Sequence, residues 1–413
     1  MSFASVYFSR FRVQEPIITE VPSSELGIIV TIPCHNEPDI LETLQSLAHC
    51  IPPPCKTEVI VVVNNSEKAP NEIVYINNVT YNNIVQYINH FNTEFIRLHC
   101  VYVPNMSYKH AGVGFARKIA MDEATHRFAY TNNHKGIIAS LDADCTVHQS
   151  YLLSIYQTFT SYDCGIAPIY FEHPLSGNLS YYQYFAIAQY ELYLRWYVYM
   201  LRSIGFPFAH HTVGSSFAVR ADAYCRQGGM NKRQAGEDFY FLQKMYEAEQ
   251  VSSITNTTVY PSARVSHRVP FGTGYAMQTL MNSADNIYYV YNPYSFYPLN
   301  DFFTRINELY KCNSERCIQF YKSLHYTIQL YVSLEVFEAK ILECNTHSRS
   351  KDFFVKRFFL WFNGFMIFKY LNFVHTKGFF EKISIQHAAS QTLELDSNVF
   401  ELLKMYRKID RNG

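Results

Sequence analysis

The sequence predicts an α/β fold, in which a mostly parallel sheet flanked by helices is followed by a mainly helical C-terminal region. In the first half of the chain, short β-branched runs alternate with segments whose apolar residues recur at helical spacing. This order is typical of a parallel sheet covered by helices. Beyond about residue 275 the strand signals fade, and Phe, Leu, Ile and Tyr recur at helical spacing. We therefore predict two domains, residues 1–285 and 286–413.

Runs of apolar residues, and the residues that end them, define the predicted elements of the first domain. Gly27–Ile32 is a β-branched strand that stops at Pro33, because proline offers no N–H to a neighbouring strand. In the helix that follows, Ile40, Leu44 and Leu47 share one face. The other predicted strands are Glu58–Val63, Leu98–Val103, Ile137–Leu141 and Ser216–Arg220. The predicted helices are Asp39–Cys50, Ala111–Phe128, Ser150–Thr160, Leu179–Leu201 and Glu237–Glu249.

The composition argues against several classes of protein. The chain has 413 residues, with 35 Lys plus Arg and 35 Asp plus Glu. Because these charges balance, no global field attracts nucleic acid, and we expect no nucleic-acid partner. The ten cysteines include no C-x-x-C pair, and the N-terminal residues contain no apolar signal-peptide core. We therefore expect a cytoplasmic protein with reduced thiols.

The sequence contains no window with the roughly 20 uncharged apolar residues that a membrane span needs. The nearest window, Phe358–Val374, contains Asn363, Lys369 and Asn372. We interpret this window as a buried helix. The alternative is a helix that lies against a membrane, which would make the protein peripheral at the inner membrane face.

Two aspartates directly follow a predicted buried strand. Asp142 and Asp144, one residue apart, come after Ile137–Leu141. Ligands of an open α/β sheet bind at the carboxyl ends of its strands. Two carboxylates at such an end suit a Mg²⁺ or Mn²⁺ ion that bridges phosphates, because these ions prefer oxygen ligands. The alternative is a capping turn.

Two further polar segments follow strands or open helices. The first is Pro33 to Pro38, in which His35, Asn36 and Glu37 could read a nucleobase; helix capping explains this segment equally well. The second opens the helix Ala111–Phe128. There the glycines allow close approach of a ligand, and basic side chains suit a diphosphate. The residues concerned are Lys109, Gly112 and Arg117. It is not the dinucleotide-binding glycine fingerprint, which would follow the first strand, and no Walker A motif occurs.

An acidic pair opens the predicted helix Glu237–Glu249. Glu237 and Asp238 follow Gly236. Carboxylates at a helix N-terminus are stabilised by the helix dipole, so capping explains the pair. The functional interpretation is a general base that takes the proton of an attacking hydroxyl.

Taken in order, these segments resemble the family 2 glycosyltransferases over roughly residues 25–250. The resemblance rests on five motifs in the family's order. They are Val30–Glu37, Val61–Ser66, Gly112–Arg117, Asp142–Asp144, and Gly214–Arg220 continued by Gly228–Gly229 and Gly236–Asp238. The resemblance implies a GT-A type fold and a first domain that is catalytic. It also implies transfer of a sugar from a nucleotide-sugar donor with the help of a divalent cation.

The resemblance also implies roles for individual residues. Asp238 would be the catalytic base and Glu237 would orient the acceptor, whereas Asp142 and Asp144 would hold Mn²⁺ or Mg²⁺. His267 falls where several GT-A enzymes place a third metal ligand, although a polar loop residue is an equally good interpretation. The nucleobase and ribose would contact Pro33, His35, Asn36, Glu37, Asn64, Asn65 and Asp142. The diphosphate would contact Lys109, Gly112 and Arg117. The implied reaction is an inverting, in-line displacement.

Two departures from the family pattern refine the expected substrates. Asn64-Asn65 stands where the second-strand motif often ends in Asp, which still suits a UDP-sugar because an amide can bond a base. No Q-x-x-R-W motif follows the acidic pair, which favours addition of one sugar at a time. The alternatives are a retaining GT-A glycosyltransferase, a sugar-phosphate nucleotidyltransferase and a non-catalytic nucleotide-sugar binding or scaffold protein.

The acceptor side is less defined by sequence. We expect a glycan or glycolipid acceptor, because the family commonly assembles surface polysaccharides and glycolipids. The tyrosine-rich stretch Tyr181–Tyr199 and the C-terminal helices are interpreted as buried helices. The alternatives for them are an acceptor wall, a homodimer interface, or a lipid-facing surface around Trp361 and Phe362.

Overall fold

The computed structural model describes residues 2–109, 111–233, 236–264, 272–283 and 285–412. They form two compact units. The first comprises Met1–Leu179, Thr212–Gln278 and Lys408–Gly413, and the second comprises Ser180–His211 and Thr279–Arg407. These units divide the chain at positions other than residue 285. The extent of a catalytic domain over 1–285 therefore stays a prediction.

The first unit contains strands β1 (Leu26–Cys34), β2 (Lys56–Ser66), β3 (Ile96–Met106), β4 (Ile137–Ser140), β5 (Thr146–Val147), β6 (Ile166–Phe171), β7 (Phe217–Arg220) and β8 (Ile254–Tyr260). Within the described ranges they form one eight-stranded sheet, in the order β3-β2-β1-β4-β7-β6-β8-β5. Strands β1 to β4 are parallel, and so are β6 and β8. The antiparallel pairs are β4 with β7, β6 with β7, and β5 with β8.

The helices up to residue 282 are α1 (Ser5–Phe11), α2 (Ile40–Ala48), α3 (Asn71–Phe91), α4 (Val113–Tyr130), α5 (Tyr151–Ser161), α6 (Tyr181–Ser203), α7 (Ala221–Arg226), α8 (Glu237–Ala248) and α9 (Thr273–Asn282). All except α6 and the end of α9 belong to the first unit. The core of this unit is the β1–β2 pair, whose residues from Ile28 to Cys34 and from Val59 to Val63 are buried. A mostly parallel α/β sheet flanked by helices, as predicted, is confirmed.

The predicted end of the first strand at Pro33 is wrong. Strand β1 continues to Cys34 and pairs with β2 over that length, whereas its pairing with β4 ends at Thr31. The Thr31 carbonyl accepts from Leu141 N–H on the β4 side, so Pro33, two residues later, faces the same side. Because β4 has already ended there, the missing N–H of proline costs the sheet no hydrogen bond.

The second unit is mainly helical. After α6 it contains α10 (Tyr297–Arg305), α11 (Ser314–Ser323), α12 (Tyr326–Tyr331), α13 (Leu334–Thr346), α14 (Lys351–Trp361), α15 (Gly364–Thr376), α16 (Ile385–Leu393) and most of α17 (Val399–Asn412). A short antiparallel pair, β9 (Tyr289–Val290) with β10 (Ile383–Ser384), and two 3-10 turns, Pro293–Phe296 and Ile306–Leu309, complete it. Helix α6 belongs here because Trp196 donates to Thr392 over 2.9 Å and Glu191 pairs with Arg407 over 2.7 Å.

The window Phe358–Val374 is divided between α14 and α15. Helix α14 ends at Trp361, and Asn363 caps α15 by accepting from the backbone N–H groups of Phe365 and Met366. Phe358 and Leu371 are fully buried, whereas Leu360 and Phe368 are each 39% exposed, so the window forms two partly buried helices rather than the one buried helix that was predicted. In the part of the chain that the structure describes, no helix is both long and apolar enough to cross a membrane.

Candidate functional site

The polar segments singled out in the sequence meet at one edge of the sheet. Strands β1, β2 and β4 are parallel, so their carboxyl ends share that edge. Strand β7 is antiparallel to β4, with Ser140 opposite Phe217, so the residues that precede β7 lie there too. Strand β6 is antiparallel to β7 and parallel to β8, which places Arg264, just beyond β8, at the same edge. This is the edge at which open α/β sheets bind their ligands.

Arg117 lies at the centre of the candidate site. It projects from the first turns of α4 and is 2% exposed. One guanidinium nitrogen lies 2.6 Å from Asp142 Oδ1, and another contacts Glu237 Oε1. Burial alone would lower the pKa of Arg117, but the acidic neighbours raise it, so Arg117 stays charged. The predicted diphosphate ligand Arg117 is therefore already held by two carboxylates.

Asp238 is fixed by backbone groups rather than by a cation. Its Oδ2 accepts from Gly214 N–H over 3.1 Å, and its Oδ1 accepts from Phe239 N–H over 2.7 Å. Ser140 Oγ in turn donates to the Gly214 carbonyl over 2.8 Å, which ties this loop to the end of β4. Asp238 is half-buried, whereas Glu237 is 2% exposed. Of the two acids, Asp238 is the one with open surface.

Burial is the main influence on both acids. It raises the pKa of Glu237 and of Asp238, and the attraction of Arg117 only partly opposes this rise. Their mutual repulsion raises the pKa of Glu237 further. A carboxylate with a raised pKa is a better proton acceptor near neutral pH than an exposed one. Helix capping by this pair therefore does not exclude acid–base chemistry.

A second arginine, which the sequence did not single out, joins two of the predicted segments. Arg264 contacts Glu37 Oε2, and its Nη2 lies 3.2 Å from Asp144 Oδ2. The Arg264 side chain is 29% exposed, and so is that of Asp144. The one sequence signal was its position, three residues before His267. Arg264 therefore links the turn after β1 to the aspartates after β4.

The side chains suit a divalent cation that is shared with a ligand. Among the described residues, five carboxylates of this edge (Glu37, Asp142, Asp144, Glu237 and Asp238) meet two arginines, so negative charge exceeds positive. No three His, Cys, Asp or Glu side chains of the described ranges form a metal cage. Mg²⁺ commonly uses one or two carboxylates plus substrate phosphates, which Asp142 and Asp144 fit. The predicted third ligand, His267, lies outside the described residues.

A network of asparagines orders the predicted nucleobase turn. His35 Nδ1 lies 2.9 Å from the Asn64 carbonyl oxygen, and Asn36, in the left-handed region with φ of 56°, donates its N–H to Asn77 Oδ1 over 2.7 Å. Asn77 Nδ2 donates to Asn65 Oδ1 over 2.6 Å. Asn77, from α3, is fully buried and was missed in the sequence, because no motif marks it. It connects the ends of β1 and β2.

The remaining predicted donor residues have different positions. Pro33 is buried in β1, and the Asn65 side chain is engaged with Asn77 and with Tyr102, to whose hydroxyl it donates over 2.7 Å. Gly112 caps α4 in an extended conformation, and Lys109 is exposed. The structure thus brings the acidic residues and Arg117 together. Asn64 and Asn65 are buried and contact the nucleobase turn instead of forming an open surface.

The approach of α4 to α8 requires glycine at position 114. A Cβ there would lie 2.2 Å from the Arg233 carbonyl oxygen and 2.8 Å from Glu237 Cβ. We expect Gly114→Ala to lower the free energy of unfolding by about 1–3 kcal/mol and to displace Glu237, because neither neighbour can yield cheaply. Thermal denaturation and nucleotide titration measure the two effects. A Gly114→Ala protein with unchanged melting temperature would contradict this packing.

Part of the chain matches the model of a known protein family. The model of Glycosyl transferase family 2 matches residues 29–225, just under half of the chain. No curated protein matches the chain. The matched range contains most of β1 and all of β2 to β7, and with them the two aspartates after β4, Arg117 and Gly214.

Solved structures of S. aureus TarS are similar to this chain. The crystal structure of TarS 1-349 is 13% identical, with a TM-score of 0.39, and the match covers 80% of this chain and 89% of that one. For TarS 1-349 in complex with UDP-GlcNAc the identity is 13% and the TM-score 0.41, with 80% and 90% covered. The match of residues 29–225 to the Glycosyl transferase family 2 model identifies this part of the chain as a glycosyltransferase domain.

Proposed function

We propose that the chain transfers one sugar from a UDP-sugar to a hydroxyl of a glycan or glycolipid acceptor, with inversion at the anomeric carbon and with a bound Mn²⁺ or Mg²⁺ ion. The observation that carries this proposal is the cluster of Asp238, Glu237, Asp142 and Arg117 at the carboxyl edge of the sheet. It puts a partly exposed carboxylate with a raised pKa beside the aspartates that follow β4.

The structure favours Asp238 over Glu237 as the base. Glu237 is buried and paired with Arg117, so its carboxylate has little room for an acceptor hydroxyl. Asp238 is less buried, and two backbone N–H groups fix its orientation while leaving lone pairs on both oxygens. Glu237 then acts as a positioning residue: through Arg117 it holds the start of α8 against α4.

The reaction needs no covalent enzyme intermediate. An acceptor hydroxyl oxygen forms a bond to the anomeric carbon while the bond from that carbon to the diphosphate oxygen breaks. The hydroxyl proton passes to Asp238, and the electron pair of the broken bond leaves with the nucleoside diphosphate. Attack from the face opposite the leaving group inverts the anomeric configuration.

Charge on the leaving diphosphate must be neutralised as the bond breaks. A divalent cation bound to Asp142 and Asp144 would act as a Lewis acid toward the phosphate oxygens. Arg264 adds a positive charge from the protein, since its guanidinium is partly exposed and already lies against Asp144. Arg117 is buried and engaged with two carboxylates, so we assign it to holding Asp142 and Glu237 rather than to the diphosphate.

Replacing Arg264 tests this assignment. We expect Arg264→Met to weaken UDP binding by roughly 10- to 100-fold, because a charge-assisted hydrogen bond contributes about 1.5–3 kcal/mol. Arg264→Lys should fall between the wild type and Arg264→Met, since it keeps the charge and loses the planar fork. Calorimetric titration measures both variants. Equal or tighter UDP binding by Arg264→Met would show that Arg264 only pairs with Glu37 and Asp144 and does not bind the diphosphate.

Proton NMR of donor hydrolysis tests the proposed function. Water replaces the acceptor in a slow side reaction, and the anomer released first is read before mutarotation. We expect consumption of a UDP-α-sugar and first release of the β-sugar. First release of the α-sugar would indicate the retaining alternative. No consumption of any UDP- or GDP-sugar, with or without added glycans, would contradict a catalytic role.

A further inference from the structure

Helix α14 of the second unit exposes apolar side chains as well as burying them. Its buried side carries Phe354, Phe358 and Phe359. On the side that faces solvent, Phe353 is 59% exposed and Leu360 is 39% exposed. These two residues are seven positions apart, so they lie within about 20° of one another around the helix axis. Helix α14 therefore has an apolar stripe along its exposed side.

Cations lie on both sides of this stripe. Lys356 and Arg357 are exposed, and they precede Leu360 by four and three positions. At about 100° per residue, they lie on opposite sides of Leu360, roughly 40° and 60° from it. The one acid of α14, Asp352, lies about 80° from Leu360, at the margin of the exposed side. We call Phe353, Lys356, Arg357 and Leu360 the outer face of α14.

The chain on both sides of α14 is also positively charged. Residues 349–377 contain six Lys or Arg and one acid, whereas the charges of the whole chain balance. All six are exposed, and none forms an ion pair with another residue of the described ranges. On α15, Lys369 Nζ lies 4.3 Å from the centroid of the Phe365 ring, and Phe368 is 39% exposed. The next helix thus repeats the combination of a cation with aromatic rings.

The neighbouring helix α13 does not neutralise the outer face. Arg357 and Leu360 line a cleft of about 310 Å³, to which α13 contributes Lys340 and Glu343. Glu343 Oε2 lies 2.7 Å from Lys340 Nζ, so the acid of this cleft already has a cation from its own helix. The positive charge of Arg357 therefore remains available to a partner outside the chain.

The chemistry of the outer face selects among possible partners. A second copy of this chain, related by a twofold axis, would bring Lys356 and Arg357 against the same residues, and like charges repel. A nucleic acid would pair with the cations but would place phosphates against the apolar stripe between them. An anionic bilayer suits both parts, because its phosphates attract Lys and Arg while the boundary of its acyl chains accepts Phe and Leu.

We propose that the outer face of α14 binds the surface of a membrane that contains anionic lipids. Phe353 and Leu360 enter the boundary between headgroups and acyl chains, and Lys356 and Arg357 contact the lipid phosphates. The contact is shallow, because the other side of α14 is packed within the second unit. This interaction goes beyond the proposed reaction and does not depend on it.

Sedimentation with lipid vesicles tests this proposal. The vesicles contain either phosphatidylcholine alone or equal parts of phosphatidylcholine and phosphatidylglycerol. We expect the full chain to bind the mixed vesicles and not the neutral ones. Lys356→Gln/Arg357→Gln should bind about 10- to 30-fold more weakly, because each basic residue near an anionic surface contributes a factor of about five. Phe353→Ser/Leu360→Ser keeps every charge and should bind about tenfold more weakly, because the apolar contact is lost.

The matched control is Lys322→Gln/Lys404→Gln, which removes two exposed lysines from other helices of the second unit and should bind like the wild type. Failure of the wild type to bind mixed vesicles, or equal weakening in the two charge variants, would overturn the proposal. Unchanged binding by Phe353→Ser/Leu360→Ser would overturn it too. So would a lipid-free dimer that this variant abolishes, or tighter binding of single-stranded RNA than of mixed vesicles. Because every substitution is at an exposed side chain, each variant should melt with the wild type.

Discussion

An Asp238→Asn protein should bind UDP like the wild type and transfer sugar about 10²- to 10⁴-fold more slowly. Asparagine keeps the shape of the side chain, and its carbonyl oxygen can still accept from Gly214 N–H, which reaches Asp238 over 3.1 Å. It cannot take the acceptor proton. The rate loss should therefore appear in kcat, measured with saturating donor, whereas the Kd for UDP from calorimetry should stay within about twofold.

The chain offers a matched control for Asp238. Glu72 is the second residue of α3, as Asp238 is of α8, and it is exposed. Glu72→Gln removes a carboxylate from the same position of a helix, where the dipole effect is about 0.3–1 kcal/mol, and should leave kcat unchanged. Normal turnover by Asp238→Asn would remove Asp238 from the role of base.

Replacing Arg117 by methionine should lower the free energy of unfolding by about 3–5 kcal/mol at pH 7. The buried Glu237 and the neighbouring Asp142 would lose the cation that both contact. The pKa of Glu237 is already raised by burial and would rise further without Arg117. Denaturant titration at pH 7 measures the loss, and Arg117→Met/Glu237→Gln should recover part of it because the uncompensated charge is gone.

The stability deficit of Arg117→Met should depend on pH in one direction. A carboxyl whose pKa is higher in the folded than in the unfolded state binds protons on folding, so the free energy of unfolding decreases as the pH rises above its unfolded-state pKa. The deficit of Arg117→Met relative to the wild type should therefore be smaller at pH 5 than at pH 7. A deficit that grows toward pH 5 would contradict an uncompensated Glu237.

Helix α4 supplies a control for the effect of a buried arginine alone. Arg127 on the same helix forms a buried pair with Glu58, 2.6 Å apart at its Nη2. Arg127→Met should also cost several kcal/mol. It should retain UDP binding at temperatures where it is folded, because this pair lies outside the candidate site. Equal loss of UDP binding in both variants would show that stability, not site geometry, accounts for the effect of Arg117→Met.

The sequence could predict which segments share an edge of the sheet, because parallel strands place their carboxyl ends together. That reasoning located Asp142 after β4, and the family motifs located Glu237 and Arg117. The sequence could not predict which side chains these residues pair with. Arg264 and Glu37 are 227 residues apart, and no local pattern indicates that they meet. Which arginine balances which carboxylate depends on the folded chain.

For physical reasons, one helix could not be predicted from the sequence, and neither could the partners of another. Helix α3, Asn71–Phe91, was not predicted, because its asparagines interrupt the apolar periodicity that would mark it. One of them, Asn77, orders the nucleobase turn. Helix α6 was predicted correctly as a helix, but periodicity does not reveal that Glu191 and Trp196 pair within the second unit.

Isothermal titration of the purified chain with UDP and with GDP, each with Mn²⁺ and with EDTA, tests the proposed donor site most directly. The carboxylates after β4 and Arg264 predict binding of UDP that requires Mn²⁺ and that Asp144→Asn weakens. Binding of neither nucleotide under any of these conditions would contradict a donor site at this edge of the sheet, and preference for GDP would contradict the proposed UDP-sugar.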